Sequence, residues 1–285
     1  AMPRTPSVPK SLRVMCEYSA SVVAQSSRGR AGREIAGAES IIPLSRQAQA
    51  IGDLRPRLEL SSAGVNVAAA MSVIQHRHDD VNGIRLHWAE AGAGPAVLLC
   101  HGWPETWYSW RHQIAALAAA GYRVLAPDMR GYGESGAPDA VADYTILHLV
   151  GDMVGLLDRL EIADAVVVGR DWGAIVAWHA ALLRPDRFRA VAALSVAHVR
   201  RSVAPPVEAM RRAGRAGFYW VYFQEPGIAE AEFERDVAST LRRVYHSCSG
   251  DVPAEWLWRA LVPEGGGLLD STIEPSMTLR PSARA

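Results

Sequence analysis

The chain has 285 residues, 30 Lys+Arg against 30 Asp+Glu, and 49% apolar residues, an ordinary globular composition with length for one large domain or two small ones. Zero formal net charge, with no basic run interleaved with aromatics, lacks the electrostatic footprint of a nucleic-acid binder and gives anionic partners no support. No stretch of about 18 uncharged apolar residues occurs, so no spanning helix or membrane partner is expected. Cys16, Cys100 and Cys248 are widely spaced and form no CxxC pair, the usage of a soluble protein in a reduced, cytoplasmic compartment.

Residues 1–70 are rich in Ser, Ala, Arg and Pro, with Tyr18 as their one aromatic. They show no sustained apolar period, so they are expected to be a disordered or spurious N-terminal extension without a packed core. A natural start at Met71 and a transit peptide are alternative readings of the segment. From about residue 75 short apolar runs alternate with helical periods. Residues 84–88 read as a half-buried strand and 96–100 as a buried one. Residues 106–120 read as a helix ended by Gly121, 123–126 as a strand, 128–136 as a Gly-rich loop, and 144–160 as a long amphipathic helix. Then come a strand over 165–169, a helix over 173–183 closed by Pro185, and a strand over 190–196. Strands separated by helices imply an α/β fold, a mostly parallel sheet with helices on both faces, across residues 75–200. After about His198 the strand signal stops. Residues 201–270 are assigned to a partial helical lid bearing Tyr219, Tyr222, Phe223, Tyr245, Trp256 and Trp258, and 271–285 to an unrelated polar tail.

The sharpest chemical feature is Gly169-Arg-Asp-Trp-Gly173, placed after a buried strand and opening a helix. It has the form of the nucleophile elbow of α/β-hydrolases, with aspartate where serine is more usual. So tight a turn needs flanking positions nearly free of side chains. A carboxylate nucleophile attacking an sp³ carbon gives an alkyl-enzyme ester, which points to epoxides and alkyl halides as substrates. The plainer reading is that Asp171 only caps the following helix. The second feature is His101-Gly-Trp-Pro-Glu105 after the 96–100 strand. In this fold that loop gives one oxyanion-hole amide and the residue after the nucleophile gives the other, here Trp103 and Trp172. Gly102 and Pro104 shape the loop, Pro104 being able to follow a cis bond, and His101 is expected to organise the loop rather than act as base. No His/Cys/Asp/Glu cluster has ligand spacing, so no metal is expected, and His76 and His78 are read as a solvated face just before the first strand. No phosphate loop or dinucleotide fingerprint occurs; no cofactor is expected.

Together, HGWPETWYSWRHQ (101–113), DMRGYGES (128–135), GRDWGA (169–174) and YFQEPGIAEAEFERD (222–236) resemble the epoxide hydrolase family of α/β-hydrolases. The resemblance implies a small apolar epoxide and water as reactants, Asp171 as nucleophile, and Tyr219, three residues before the lid motif, as the donor to the epoxide oxygen. Dehalogenases look similar around the elbow, but the lid motif argues against them. Arg170 stands where that family usually has His, and is expected either to lower the pKa of Asp171 or pair with it unproductively, or to be a solvated neighbour. The family's second step, ester hydrolysis, needs an acid and a histidine after the lid, whereas the last histidine here is His246. Asp251 and Asp270 are doubtful substitutes for the acid. The expectation is therefore a chain truncated within the lid, with the final strands and helices of the sheet domain missing and the strand near 190–196 left as an uncovered edge. Such a chain is expected to be inactive or to react once; a non-catalytic remnant is the alternative.

Overall fold

The computed structural model describes residues 74–199, 204–250, 252 and 260–273; the 1–70 extension and residues 274–285 of the expected tail lie outside them. A single sheet dominates. Strands β1 (Gln75–Val81) and β2 (Ile84–Ala91) form a hairpin turned by Asn82 and Gly83, both at positive φ (49° and 79°), the backbone that a two-residue hairpin loop needs. Adding β3 (Ala96–Cys100), β4 (Arg123–Pro127), β5 (Ala165–Arg170) and β6 (Phe188–Leu194) gives the order β1-β2-β4-β3-β5-β6. The β1/β2 and β2/β4 pairs are antiparallel and the rest parallel, so the expected mostly parallel α/β sheet is present.

Alternation along the strands sorts their side chains into two cores. Ala96, Leu98 and Cys100 face one side with Leu125 and Val167, while Val97 and Leu99 face the other with Val124 and Ala126. Helix α1 (Arg111–Ala119) covers the second core through Ile114, after a 3₁₀ turn at Trp107–Trp110. Helices α2 (Ile146–Arg159) and α3 (Trp172–Leu183) cover the first. The helix expected over 106–120 is therefore two pieces. Thr106 accepts the Tyr108 amide (3.3 Å) and stops the first piece from joining the strand before it. Strand β1 was not expected at all. Its sequence QHRHDDV buries only its last residue, so pairing with β2 rather than an apolar face makes it a strand.

Among the described residues beyond β6 are four short α-helices, α4 (Pro206–Arg212), α5 (Tyr219–Tyr222), α6 (Ile228–Phe233) and α7 (Val237–Ser247), and a 3₁₀ turn at Leu269–Ser271. Around α5 and α6 lies a small core of Phe223, Ala229, Phe233 and Leu268, against which Trp103, Trp172 and Tyr219 pack. Glu232 fastens this helical block, accepting the Tyr222 hydroxyl (3.0 Å) and the Leu268 and Leu269 amides (3.0 and 2.9 Å). Two residues of the expected tail belong to it as well: Arg243 Nε donates to Thr272 Oγ1 (3.0 Å) and the Ile273 amide to Ser247 Oγ (2.8 Å). Among the described residues, no helix is long and apolar enough to cross a membrane.

Candidate active site

The elbow is built where β5 meets α3. Asp171 lies between them at φ 54°, ψ −122°, a conformation that a non-glycine residue holds only when its surroundings impose it. The end of β6 imposes it: the Asp171 amide donates to the Leu194 carbonyl (3.3 Å) and to Ser195 Oγ (3.1 Å). The flanking glycines are required by close approach. A β-carbon on Gly169 would lie 2.0 Å from the Gly173 carbonyl oxygen, and one on Gly173 would lie 2.1 Å from that of Cys100. Asp171 occupies the cap position of α3, yet its side chain makes no capping bond to that helix.

Instead the carboxylate faces the loop after β3. The Trp103 amide donates to Asp171 Oδ1 at 3.0 Å, and the Trp172 amide also supports the ionised form. Gly102 is equally close, since a β-carbon there would lie 2.5 Å from Asp171 Cβ. His101 is fully buried and spends both ring nitrogens on the loop: Nδ1 donates to the Gly102 carbonyl (2.9 Å) and Nε2 accepts the Met129 amide (3.0 Å). Burial, partly opposed by its bond to Gly102, holds its pKa below the ordinary value. The Trp103–Pro104 bond is cis. From α7, the Tyr245 hydroxyl donates to the Pro104 carbonyl (2.9 Å).

Burial raises the pKa of Asp171 above the usual carboxylate range, against the pull of the Trp103 and Trp172 amides; Glu105 adds to the rise and Arg170 opposes it. Arg170 pairs with Glu105 rather than with the nucleophile. Glu105 in turn accepts the Gly102 amide (3.2 Å) and is itself buried, so the departure at Arg170 is absorbed by a carboxylate of the neighbouring loop. Tyr219 opens α5, its ring stacked on Trp103 (centroids 6.3 Å) and against Phe223 (5.5 Å). Burial first, and then the charge of Asp171, push its phenol well above the ordinary tyrosine value.

The structure thus brings Asp171, Trp103, Trp172 and Tyr219 around one cluster, with His101, Gly102, Pro104, Gly169 and Gly173 shaping its walls. The sequence reading gave no role to Glu105, Asp128 or Tyr245. Asp128 accepts from His87 Nδ1 (2.8 Å) and from the Trp107 and Glu134 amides (2.9 and 3.0 Å). Burial opposes its ionisation, but these bonds outweigh it and keep its carboxyl below the ordinary range. Both carboxylates lie inside the quoted motifs, and an acid amid glycines and aromatics was the available signal.

Comparison with known proteins agrees with this geometry. The family model described as the alpha/beta hydrolase fold matches residues 95–251. Epoxide hydrolase A of Mycobacterium tuberculosis is 51% identical over 200 residues, covering 69% of this chain and 62% of that protein. Epoxide hydrolase 2 of Siraitia grosvenorii is 49% identical over 175 residues, covering 61% and 55%. Among solved structures, Epoxide Hydrolase A from Mycobacterium thermoresistibile superposes with a TM-score of 0.67 at 47% identity, over 73% of this chain and 66% of that one. An epoxide hydrolase from an endophytic Streptomyces gives 0.68 at 46% identity, over 72% and 62%. The chain spans between about half and two thirds of the length of these relatives. On fold, elbow and relatives together, the chain belongs to the α/β-hydrolase fold family and, within it, to the epoxide hydrolase family.

Proposed function

We propose that this chain opens small apolar epoxides by nucleophilic attack of Asp171. With Oδ1 held by the loop amides, Oδ2 attacks a ring carbon, a new C–O ester bond forms, and the strained ring C–O bond breaks. The electron pair passes to the ring oxygen, which takes a proton from the Tyr219 phenol. The products are a hydroxyalkyl ester on Asp171 and a phenolate that regains its proton from water. The observation that carries this reading is the elbow carboxylate under the Trp103 amide at 3.0 Å, with a half-buried phenol near enough to feel its charge. A tyrosine with a raised pKa remains protonated at neutral pH and can serve as the acid.

Water attack on the ester would return charge to Oδ1, where the Trp103 and Trp172 amides would stabilise it. That step also needs a base to activate the water. The charged side chains acting on Asp171 are Glu105 and Arg170. Of the three histidines after the elbow, His179 bonds its own helix at Ile175 (2.8 Å), His198 packs its ring on Trp178, and His246 lies in the last turn of α7. We infer that the described residues supply the alkylation half of the reaction, and that the ester accumulates. The cytoplasmic setting is part of the same proposal, supported by a buried free thiol at Cys100.

Epoxide and diol, followed by chromatography with the protein at a concentration comparable to that of a small aryl epoxide, test the reading. One equivalent of epoxide should disappear without matching diol. Steady diol formation would refute the retained ester, and no epoxide loss would refute the nucleophile.

A further inference from the structure

Away from the elbow, three imidazoles and a carboxylate meet on one face of the β1–β2 hairpin. Alternation along β1 places His76 and His78 on the same side, and the antiparallel register sets His78 opposite His87. His76 Nδ1 lies 3.0 Å from His87 Nε2. From the loop after β4, Glu134 reaches over so that its Oε2 is 3.1 Å from His78 Nε2. One ligand atom from each of His78, His87 and Glu134 lies within 4.8 Å of the other two.

Three further observations separate this cluster from a merely polar surface. His87 is fully buried, and its Nδ1 donates to Asp128 Oδ2 at 2.8 Å, so Nε2 is left as the lone-pair nitrogen facing the cluster. A carboxylate behind an imidazole in this way is the usual support of a metal-ligating histidine. The Trp107 ring, 4.7 Å from that of His76, walls one side. Arg77, between the two histidines on β1, is turned to the opposite face and paired with Glu90 (3.1 Å).

We propose that His78, His87 and Glu134 bind a divalent transition-metal ion of the zinc class, with the fourth position left to water. Imidazole nitrogens with one carboxylate suit zinc, and also nickel and copper. Bond lengths of about 2 Å around a tetrahedral ion put neighbouring ligand atoms roughly 3.3 Å apart. Closure from the observed spacing therefore requires only small side-chain rotations. Glu134 is exposed and His78 half-buried, so both can make that adjustment and the ion can enter from solvent. The site lies apart from the nucleophile. It would clamp the hairpin to the loop that holds Asp128.

The test uses the full chain without an affinity tag, stripped with chelator and titrated with Co²⁺, whose visible absorption reports its ligand set. One equivalent should bind with the strong bands of a tetrahedral site and be displaced by Zn²⁺. Glu134→Gln and His78→Ala should each weaken binding by about 10-fold or more, and Zn²⁺ should raise the Tm of the parent chain but not of Glu134→Gln. Glu134 is exposed, so that variant is expected to retain its fold, checked by circular dichroism. Absence of a stoichiometric Co²⁺ complex, or the same affinity in both folded variants, would overturn the proposal.

Discussion

Asp171 is placed under two conditions that each oppose folding: a positive φ for a residue with a side chain and a carboxyl whose burial raises its pKa. The folded state therefore binds the Asp171 proton more tightly than the unfolded chain does. The stability associated with this group is complete below the unfolded pKa and is lost as pH rises through the folded one. Asp171→Asn removes that loss, so it should have a higher Tm than the parent at pH 7, with the difference closing in acid below the ordinary carboxylate range, while abolishing alkylation. A scan of Tm against pH for both chains checks the sign; a lower Tm for the variant at pH 7 would contradict it. Tyr219 complements this arrangement, being protonated wherever Asp171 is charged at physiological pH. Tyr219→Phe should slow epoxide opening by about 10²- to 10⁴-fold, measured as the single-turnover rate. The rate in the parent chain should climb as pH rises through the raised pKa of Asp171 and then level off across neutrality.

At the scale of elements, the elbow was legible because its chemistry constrains several neighbours at once. A buried Val run, glycines at 169 and 173, and a helix start are all visible in sequence, and the structure shows why glycine is demanded at both positions. Gly173→Ala places a methyl 2.1 Å from the Cys100 carbonyl oxygen, a backbone atom that cannot swing away. It should destabilise the fold by about 1–3 kcal/mol, read from denaturant midpoints. Strand β3 was equally plain, since a strand buried on both faces is apolar throughout. Strand β1 was not, because its polar sequence owes its conformation to partners in β2 rather than to burial. The same blind spot hid the support of the loop after β3: Glu105 and Asp128 act through backbone amides supplied by other segments, and no local periodicity records such bonds. Arg170 shows the limit from the other side. Sequence places it beside the nucleophile, but only the fold brings Glu105 to it.

For the molecule as a whole, the sheet is asymmetric. Its β1 edge is polar and charged, whereas at the β6 edge Ala190 and Ala192 are exposed and Leu194 is 47% exposed, with Leu182 and Leu183 of α3 exposed nearby. An apolar strand edge is a template for pairing with another chain, and a lysine on it is an effective block. The chain should therefore self-associate with rising concentration in sedimentation velocity, and Ala192→Lys should shift the distribution towards monomer without changing the site. The helices after β6 pack their core onto Trp103 and Trp172, so the cluster around Asp171 is assembled from both halves of the described chain. Glu232 and Arg243 tie these helices to the segment at 268–269.

The most direct test of this account is intact-mass and peptide-mapping spectrometry of the full chain after incubation with a small aryl epoxide, alongside Asp171→Asn. The account predicts a stable adduct of one equivalent on the peptide carrying Asp171, absent from the variant. No adduct on the folded parent chain, or the same adduct on the variant, would contradict it.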